Sequence, residues 1–244
     1  MIYNFTKRLL DITIAALVLL ILSPLFIVTI IILKLTGEHE VFFLQERIGF
    51  KNKPFYIWKF ATMLKNSASI GTGVITVKND SRVTKFGKFL RISKINELPQ
   101  IINVFKGEMT IVGPRPLMQV SFNLYSDEIK ENIYNCKPGI TGVGSLIFRN
   151  EEEIISKAFD PALMYSTIYP YKGKLELWYQ RHASFYTDMS LIFITAWSVP
   201  FPASKLICKI FPDIPVSDSP SFGHTGLKDE NYWIPILPPT SKLA

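Results

Sequence analysis

The sequence predicts a mostly helical α+β protein, monotopic in a membrane, with a broken re-entrant helix at its N-terminus and a cytoplasmic domain that carries a small β-hairpin. Three observations predict this class. An apolar stretch is interrupted by Ser23-Pro24, two strand-like segments follow it, and the apolar residues beyond them recur mainly at helical spacing. The predicted segments are a membrane element (1–36), a main domain (37–200) and a Pro-rich C-terminal extension (201–244).

The apolar stretch has the composition of a membrane segment. The basic residues on both sides of it are typical of a segment that returns to the side of the membrane from which it entered. The stretch runs from Ile12 to Leu33, and as a helix these 22 residues are just long enough to cross the hydrocarbon core of a bilayer. Lys7 and Arg8 precede it and Lys34 follows it, so the positive-inside rule places both ends in the cytoplasm. Pro24 must kink or break the helix, and the Ser23 hydroxyl can bond a carbonyl one turn back. A kinked single span and a buried helix of a soluble domain are the alternatives, and no cleavage site for a secretory signal follows.

The elements after the membrane segment follow from local composition. Residues 41–65 predict an amphipathic β-hairpin with a central turn, because strand-forming residues dominate both halves. Residues 66–79 are rich in Ser, Gly, Thr and Asn and predict a loop. Helical spacing then continues to Phe105, with Pro99 beginning a new helix and Gly107 ending it.

The second half of the chain alternates helices with Pro/Gly loops at 113–116 and 137–144. The run 189–200 is too short for a span, so it lies either at the membrane interface, anchored by Trp197, or in the core. From Pro200 onward the chain holds eight of its sixteen prolines, which predicts an extended, irregular tail that is packed on the domain or partly mobile. The predicted helices are 117–132, 151–167 and 173–197.

The charge and cysteine content limit the class of partner. A net charge of +7 suits anionic lipid, a phosphate-rich substrate or nucleic acid. No nucleic-acid module is recognisable and the basic residues form no single stripe, so we predict no nucleic-acid binding. Cys136 and Cys208 lie far apart, and His39, His182 and His224 form no cluster, which argues against a disulfide scaffold or a zinc site.

The candidate chemistry concentrates in the middle of the chain. Asp80 and Arg82 precede a predicted helix, Asn96-Glu97 precedes another, and Arg115 is held between two prolines, where its guanidinium fork suits a phosphate. Each of these has a purely structural interpretation: Asp80 as a helix cap, Glu97 as compensation of a helix dipole, Arg115 as half of an ion pair.

Five motifs in a fixed order are more specific than any single residue. They are QERIG (45–49), KPFYIWKFATM (53–63), NDSRVTKFGKFLR (79–91), KINELPQIINVFKGEMTIVGPRPL (94–117) and KPGITG (137–142). In this order they resemble the bacterial sugar transferase family, the monotopic phosphoglycosyl transferases, over roughly residues 5–200.

The resemblance implies a reaction. Family members transfer a sugar-1-phosphate from a nucleotide diphosphate sugar, here expected to be a UDP-sugar, to polyprenol (undecaprenyl) phosphate. They act at the cytoplasmic face of the bacterial inner membrane and begin the synthesis of a surface polysaccharide or glycoconjugate. They use an adjacent Asp-Glu pair and Mg²⁺, and the Asp holds the phospho-sugar covalently before the lipid phosphate accepts it. Contact with membrane lipid and a homodimer are further expectations.

The needs of this chemistry match residues of the chain. A phosphoryl transition state spreads negative charge over oxygens and favours a metal and an arginine, and Mg²⁺ prefers one or two carboxylates. We therefore expect Glu97 to bind the metal, Arg115 to clamp a phosphate, and Lys59 and Arg82 to assist it. Asp80 is expected to orient these groups without touching substrate.

Three positions depart from the family pattern: Asn96 stands where the family has its nucleophilic Asp, Ala61 where Arg is common, and Ser145 where Gln is common. An amide oxygen is a poor nucleophile. Glu97 then replaces it as nucleophile, or activates the lipid phosphate for direct attack while Asn96 orients it, or the protein binds lipid or nucleotide-sugar without turnover. We predict an active transferase with a variant site.

Overall fold

The computed structural model describes residues 2–67, 80–202 and 204–217, so most of the predicted 66–79 loop and of the 201–244 extension lies outside the described residues. The chain divides into two compact units. The first unit comprises Met1–Arg47 and Pro54–Thr110, and the second comprises Ile48–Lys53 and Ile111–Ala244. The predicted class, mostly helical with a small antiparallel hairpin, is confirmed. The predicted boundaries at 36 and 200 stay predictions.

Two N-terminal helices, a hairpin and two short helices make up most of the first unit. They are α1 (Ile2–Ile21), α2 (Ser23–Leu35), β1 (Phe42–Ile48), β2 (Pro54–Phe60), α3 (Lys85–Ile92), a 3-10 helix (Ile95–Glu97) and α4 (Gln100–Lys106). A two-stranded sheet pairs β1 with β2. A 3-10 turn at Phe50–Asn52 connects them.

The second unit is built around one long helix. Its elements are β3 (Thr110–Val112, of which Thr110 belongs to the first unit), α5 (Gln119–Phe122), α6 (Asp127–Asn132), β4 (Gly139–Thr141), α7 (Val143–Ile147), α8 (Glu151–Lys157), α9 (Pro161–Arg181), α10 (Phe185–Trp197) and α11 (Leu206–Ile210). Helix α9 supplies Ile168, Leu175 and Tyr179 to the main apolar core.

The N-terminal helix breaks where the sequence predicts. Helix α2 begins at Ser23 with Pro24 in its first turn, and its axis is bent by 60° from that of α1. The Ser23 hydroxyl donates to the Leu20 carbonyl at 2.8 Å, which satisfies an acceptor at the break. No single helix among the described residues is long and apolar enough to cross a membrane, whereas the bent pair α1–α2 is, by length and composition.

Helix α1 is tied to α4 by its polar side chains. The Arg8 guanidinium donates to the carbonyls of Val104 (2.7 Å) and Phe105 (2.9 Å) in the last turn of α4. The Val104 carbonyl also accepts from the capping N–H of Gly107 at 3.0 Å, and a cation at a helix C-terminus is favourable. Asp11, 4% exposed, accepts a hydrogen bond from the Thr110 hydroxyl. The first helix is therefore a part of the first unit.

A buried asparagine joins α4 to the hairpin. The Asn103 side chain accepts from the backbone N–H of Trp58 (3.0 Å) and donates to the Tyr56 carbonyl (2.8 Å), much as a neighbouring strand would. It also donates to Glu108 Oε2 at 2.7 Å. These bonds hold β2 against the helix that follows Asn96-Glu97.

Each of the three long helices predicted in the second half is instead two helices. The breaks fall at side chains that cap a new helix: Ser126 accepts from the Ile129 N–H, Asp160 from those of Ala162 and Leu163, and Ser184 from that of Thr187. Such caps satisfy otherwise unpaired N–H groups and stabilise a helix start, so they override continuous helical spacing. The corrected helices are α5 with α6, α8 with α9, and α9 with α10.

The structure bears on two predictions for the C-terminal part, the place of the run 189–200 and the irregular tail. Helix α10 buries Leu191 and Ile194 but leaves Phe193 55% and Trp197 41% exposed, so one face contributes to the core and the other is open. The tail is not wholly irregular, because α11 forms and Ile207 and Phe211 pack into the core.

Candidate active site

The Asn96-Glu97 pair lies in a single turn of 3-10 helix between α3 and α4. Lys94 adopts a left-handed conformation (φ 60°) that ends α3, and Pro99 precedes the first residue of α4. The Glu97 N–H donates to the Lys94 carbonyl at 3.1 Å. The predicted new helix at Pro99 and its end at Gly107 (φ 87°) are confirmed. The pair is thus fixed by the two helices around it.

The amide oxygen of Asn96 is the unusual atom of this turn. It is buried and makes no hydrogen bond to any described residue, which leaves a costly unsatisfied acceptor next to a carboxylate. No group of three or more His, Cys, Asp or Glu side chains within 2–67, 80–202 and 204–217 is arranged to hold a metal. Mg²⁺ needs fewer, since it takes one or two protein oxygens and fills its shell with water and phosphate. The Glu97 carboxylate and the Asn96 oxygen fit that need.

The structure brings Lys59 to the same region. Strand β2, which carries Lys59, packs against the 3-10 helix of Asn96 and Glu97. The Lys59 ammonium lies 3.4 Å from Gln45 Oε1, which also accepts from Arg47 at 2.6 Å. The hairpin partner therefore orients the lysine.

Arg82 and Asp80 form a buried ion pair with each other. Their side chains are 3% and 5% exposed, and the guanidinium donates Nε to Asp80 Oδ1 (2.8 Å) and Nη2 to Oδ2 (2.5 Å). Arg82 also donates to the Ser67 carbonyl at 2.7 Å. This bidentate pairing fixes the segment before α3. A phosphate contact by Arg82 and an orienting role of Asp80 stay predictions.

Arg115 belongs to the second unit, in the loop Gly113–Pro116, here called the GPRP loop. Its carbonyl accepts from the buried Tyr134 hydroxyl at 2.8 Å, and that hydroxyl accepts from the Leu117 N–H at 3.0 Å. Two prolines and this tyrosine fix the backbone of the loop, while the guanidinium is half-buried.

Sequence reasoning missed a charged cluster beside Arg115. Lys172 of α9, 3% exposed, pairs with Glu151 of α8 at 2.7 Å. Burial alone would raise the pKa of Glu151, but the charge and hydrogen bond of Lys172, with the charge of Arg115, hold it below its ordinary value. The signal in the sequence was Lys172 and Glu176, four residues apart in a helix rich in aromatic and apolar residues.

Glu176 is the most deeply buried acid of the cluster, at 2% exposed. Burial raises its pKa to about 7, against the opposing charges of Lys172 and Arg115 and the backbone N–H groups of Arg115 and Gly144. A carboxyl group that changes charge near neutral pH is typical of a functional site.

The structure also describes Ala61 and Ser145, the other two positions that depart from the family pattern. Ala61 directly follows β2, and its N–H donates to the Val41 carbonyl at 2.9 Å. Ser145 lies in α7, and its hydroxyl is buried without a hydrogen bond to the described residues.

The model of the family described as bacterial sugar transferase matches residues 2–201. A UDP-glucose:undecaprenyl-phosphate glucose-1-phosphate transferase of Klebsiella pneumoniae is 35% identical over 196 residues, 78% of this chain and 39% of that protein. The uncharacterized sugar transferase EpsL of Bacillus subtilis is 34% identical over 193 residues, 79% of this chain and 86% of that protein.

A third relative is a UDP-N-acetylgalactosamine-undecaprenyl-phosphate N-acetylgalactosaminephosphotransferase of Aeromonas hydrophila, 38% identical over 148 residues, 60% of this chain and 35% of that protein. The chain therefore spans less than half of the Klebsiella and Aeromonas proteins and most of the Bacillus one. Because the family match covers most of the sequence, this chain belongs to the bacterial sugar transferase family.

Proposed function

We propose that this protein transfers a sugar-1-phosphate from a UDP-sugar to undecaprenyl phosphate, the first membrane step of surface polysaccharide or glycoconjugate synthesis. The observation that carries the proposal is the family match over residues 2–201, which includes the Asn96-Glu97 turn and the GPRP loop. The names of the Klebsiella and Aeromonas relatives share UDP and undecaprenyl phosphate but differ in the sugar. We therefore assign the nucleotide and the acceptor, not the sugar.

The proposed location is the cytoplasmic face of the bacterial inner membrane, with α1 and α2 as a re-entrant element in contact with lipid. The 60° bend and the basic residues at both ends support this placement. Apolar side chains that face outward along both helices support lipid contact, among them Phe5, Leu9, Leu17, Leu20, Ile27, Val28 and Ile31. A homodimer, expected from the family resemblance, is part of the proposal.

Glu97 is the proposed reactive carboxylate. In one route it attacks the β-phosphorus of the UDP-sugar, UMP leaves, and a phosphate oxygen of undecaprenyl phosphate then displaces the carboxylate. In the other route Glu97 activates undecaprenyl phosphate, as a general base, for direct attack of a lipid phosphate oxygen on the β-phosphorus, and UMP leaves in that single step. Both routes yield UMP and undecaprenyl diphosphate sugar. Asn96, which is neutral, orients an oxygen in either route.

Mg²⁺ is the proposed cofactor, and Glu97 with the Asn96 amide oxygen would hold it. When bound, it neutralises charge on the phosphate oxygens. Lys59, on the neighbouring strand, is the proposed ligand of a donor phosphate. Arg115 is the proposed phosphate clamp of the second unit, because its rigid loop reduces the entropy lost on binding and its planar fork matches two phosphate oxygens.

The test is UMP release by the purified protein in nanodiscs with Mg²⁺, undecaprenyl phosphate and a panel of UDP-sugars. Release with at least one sugar, dependent on the lipid for multiple turnovers, is the expected result. Binding of a UDP-sugar without UMP release would overturn the proposal in favour of a non-catalytic relative. Without the lipid, a stoichiometric burst of UMP with a phospho-sugar adduct on Glu97 identifies the covalent route, and no burst identifies direct attack.

A further inference from the structure

Glu176 is a buried acid that the proposed mechanism leaves without a role. Its carboxylate lies against the turn at the start of α7, where a Cβ added to Gly144 would stand 2.7 Å from Oε1 and one added to Gly142 would stand 3.3 Å from Oε2. Only a bare backbone at residue 144 allows the carboxylate so close. The N–H groups of Gly144 and Arg115 reach it closely enough to lower its pKa.

The turn that Glu176 contacts is joined to the GPRP loop backbone to backbone. The Gly113 N–H donates to the Thr141 carbonyl at 2.9 Å, and the Gly139 N–H donates to the Pro114 carbonyl at 2.8 Å. A Cβ added to Gly142 would lie 2.3 Å from the Gly113 carbonyl oxygen. Glu176 therefore faces the point where the two loops meet, one of which carries Arg115.

The charged and titratable groups that interact with Glu176 come from three elements packed against it. Lys172 lies one turn earlier on α9 and is paired with Glu151 of α8, Arg115 approaches from the GPRP loop, and Tyr125 interacts from the side of α5 and α6. Neither carboxylate oxygen makes a hydrogen bond of ordinary geometry with the described residues. Burial of an acid so weakly paired destabilises a fold, so a purely structural role explains it poorly.

We infer that Glu176 is a positioning residue for Arg115: its carboxylate holds the GPRP loop against the turn at Gly142–Gly144, so that the guanidinium of Arg115 is presented to the donor phosphate. This inference rests on the proposed transferase function. A displacement of the loop by about 1 Å would be enough to weaken catalysis by roughly 10²-fold.

A double-mutant cycle tests whether Glu176 acts through Arg115. Arg115→Ala is expected to lower kcat/KM for the UDP-sugar by about 10²-fold, and Glu176→Gln by roughly 10- to 100-fold. If Glu176 acts by placing Arg115, the double variant is no worse than Arg115→Ala alone. Losses that multiply would overturn the inference, whereas an inactive wild-type protein would overturn the proposed function instead.

The pH profile is a second readout, which a merely structural role would not change. We expect kcat/KM of the wild type to rise with pH through about 7, as Glu176 ionises and attracts both N–H groups. Glu176→Gln should lose this rise and Glu176→Asp should keep it at a lower rate, which also covers the case in which the Gln variant folds poorly. Asp188→Asn, which alters another buried acid near α9, should leave the rise in place. An unchanged profile in Glu176→Gln would overturn the inference.

Discussion

The hydroxyl of Thr110 lies 2.7 Å from Oδ2 of Asp11, and this hydrogen bond joins two buried side chains 99 positions apart in the sequence. Together with the hydrogen bonds of Arg8 to the end of α4, it fixes the first helix to the unit that carries Asn96-Glu97. An anchor attached only by a linker would show no such contacts.

Asp11→Ala should destabilise the first unit, because it leaves the buried Thr110 hydroxyl without its acceptor. We expect a loss of about 1–3 kcal/mol in the free energy of unfolding, read as a lower thermal midpoint in detergent. The matched control is Thr13→Ala, which removes an exposed hydroxyl bonded only to the Leu9 carbonyl of the same helix. Equal midpoints for the two variants would contradict the assigned role of Asp11.

The proposed re-entrant path of α1 and α2 predicts that both of their outer ends face the cytoplasm. Cysteines at Asn4→Cys and Glu38→Cys, each in a protein with Cys136 and Cys208 replaced by serine, should resist a membrane-impermeant maleimide added to intact spheroplasts. Both should react after the membrane is permeabilised. Labelling of either one from the periplasmic side would show that the pair crosses the bilayer.

Glu97→Gln should nearly abolish turnover, because the amide is neither a nucleophile nor an anionic ligand. We expect kcat for UMP release to fall by about 10³-fold or more, with the thermal midpoint little changed. Glu131→Gln, at an exposed position of α6, is the control and should match the wild type. A Glu97→Gln variant of near wild-type rate would remove this residue from the mechanism.

Asn96→Asp tests whether the natural amide is a lost nucleophile. A second carboxylate beside Glu97 raises the pKa of one of the two, and burial adds to that effect. We therefore expect kcat to rise by no more than about threefold. Removal of a catalytic nucleophile typically lowers kcat by roughly 10⁴-fold or more, so a recovered nucleophile would give a far larger gain. The appearance of a phospho-sugar adduct on residue 96 by mass spectrometry, together with a large gain, would instead identify Asn96 as a crippled nucleophile.

Glu176 makes the stability of the second unit depend on pH. Its pKa is raised from 4.5 to about 7 by burial, so the folded state favours the protonated form. The stabilising effect is complete below pH 4.5 and is lost as pH rises through 7. Glu176→Gln removes the ionisation. Between pH 5 and 8 the free energy of unfolding of the variant should therefore rise relative to that of the wild type, by roughly 3 kcal/mol at most. Parallel stability curves for the two proteins would contradict this prediction.

The elements that the sequence predicted well are those set by local chemistry. The break at Ser23-Pro24, the hairpin and the start and end of α4 each depend on a proline, a glycine or strand-forming residues within a few positions. The helix breaks at Ser126 and Asp160 also have a local signal, because a capping side chain stands at each helix start. The apolar residues continue at helical spacing across both breaks, which predicts an uninterrupted helix.

The parts that were missed depend on contacts between distant residues. Strands β3 and β4 have three residues each, too short for alternation to be visible, yet their pairing places the Gly139–Thr141 segment beside the GPRP loop. The position of Glu176 follows from that pairing and from the packing of α9, neither of which leaves a local pattern.

The Asn103 side chain has a consequence for how copies of this protein can associate. It occupies the backbone groups of Tyr56 and Trp58 that would otherwise be open for an incoming strand of another molecule. At this point the sheet cannot be extended from outside, which protects it against edge-to-edge aggregation. Self-association through this edge of the sheet would first have to displace the Asn103 side chain.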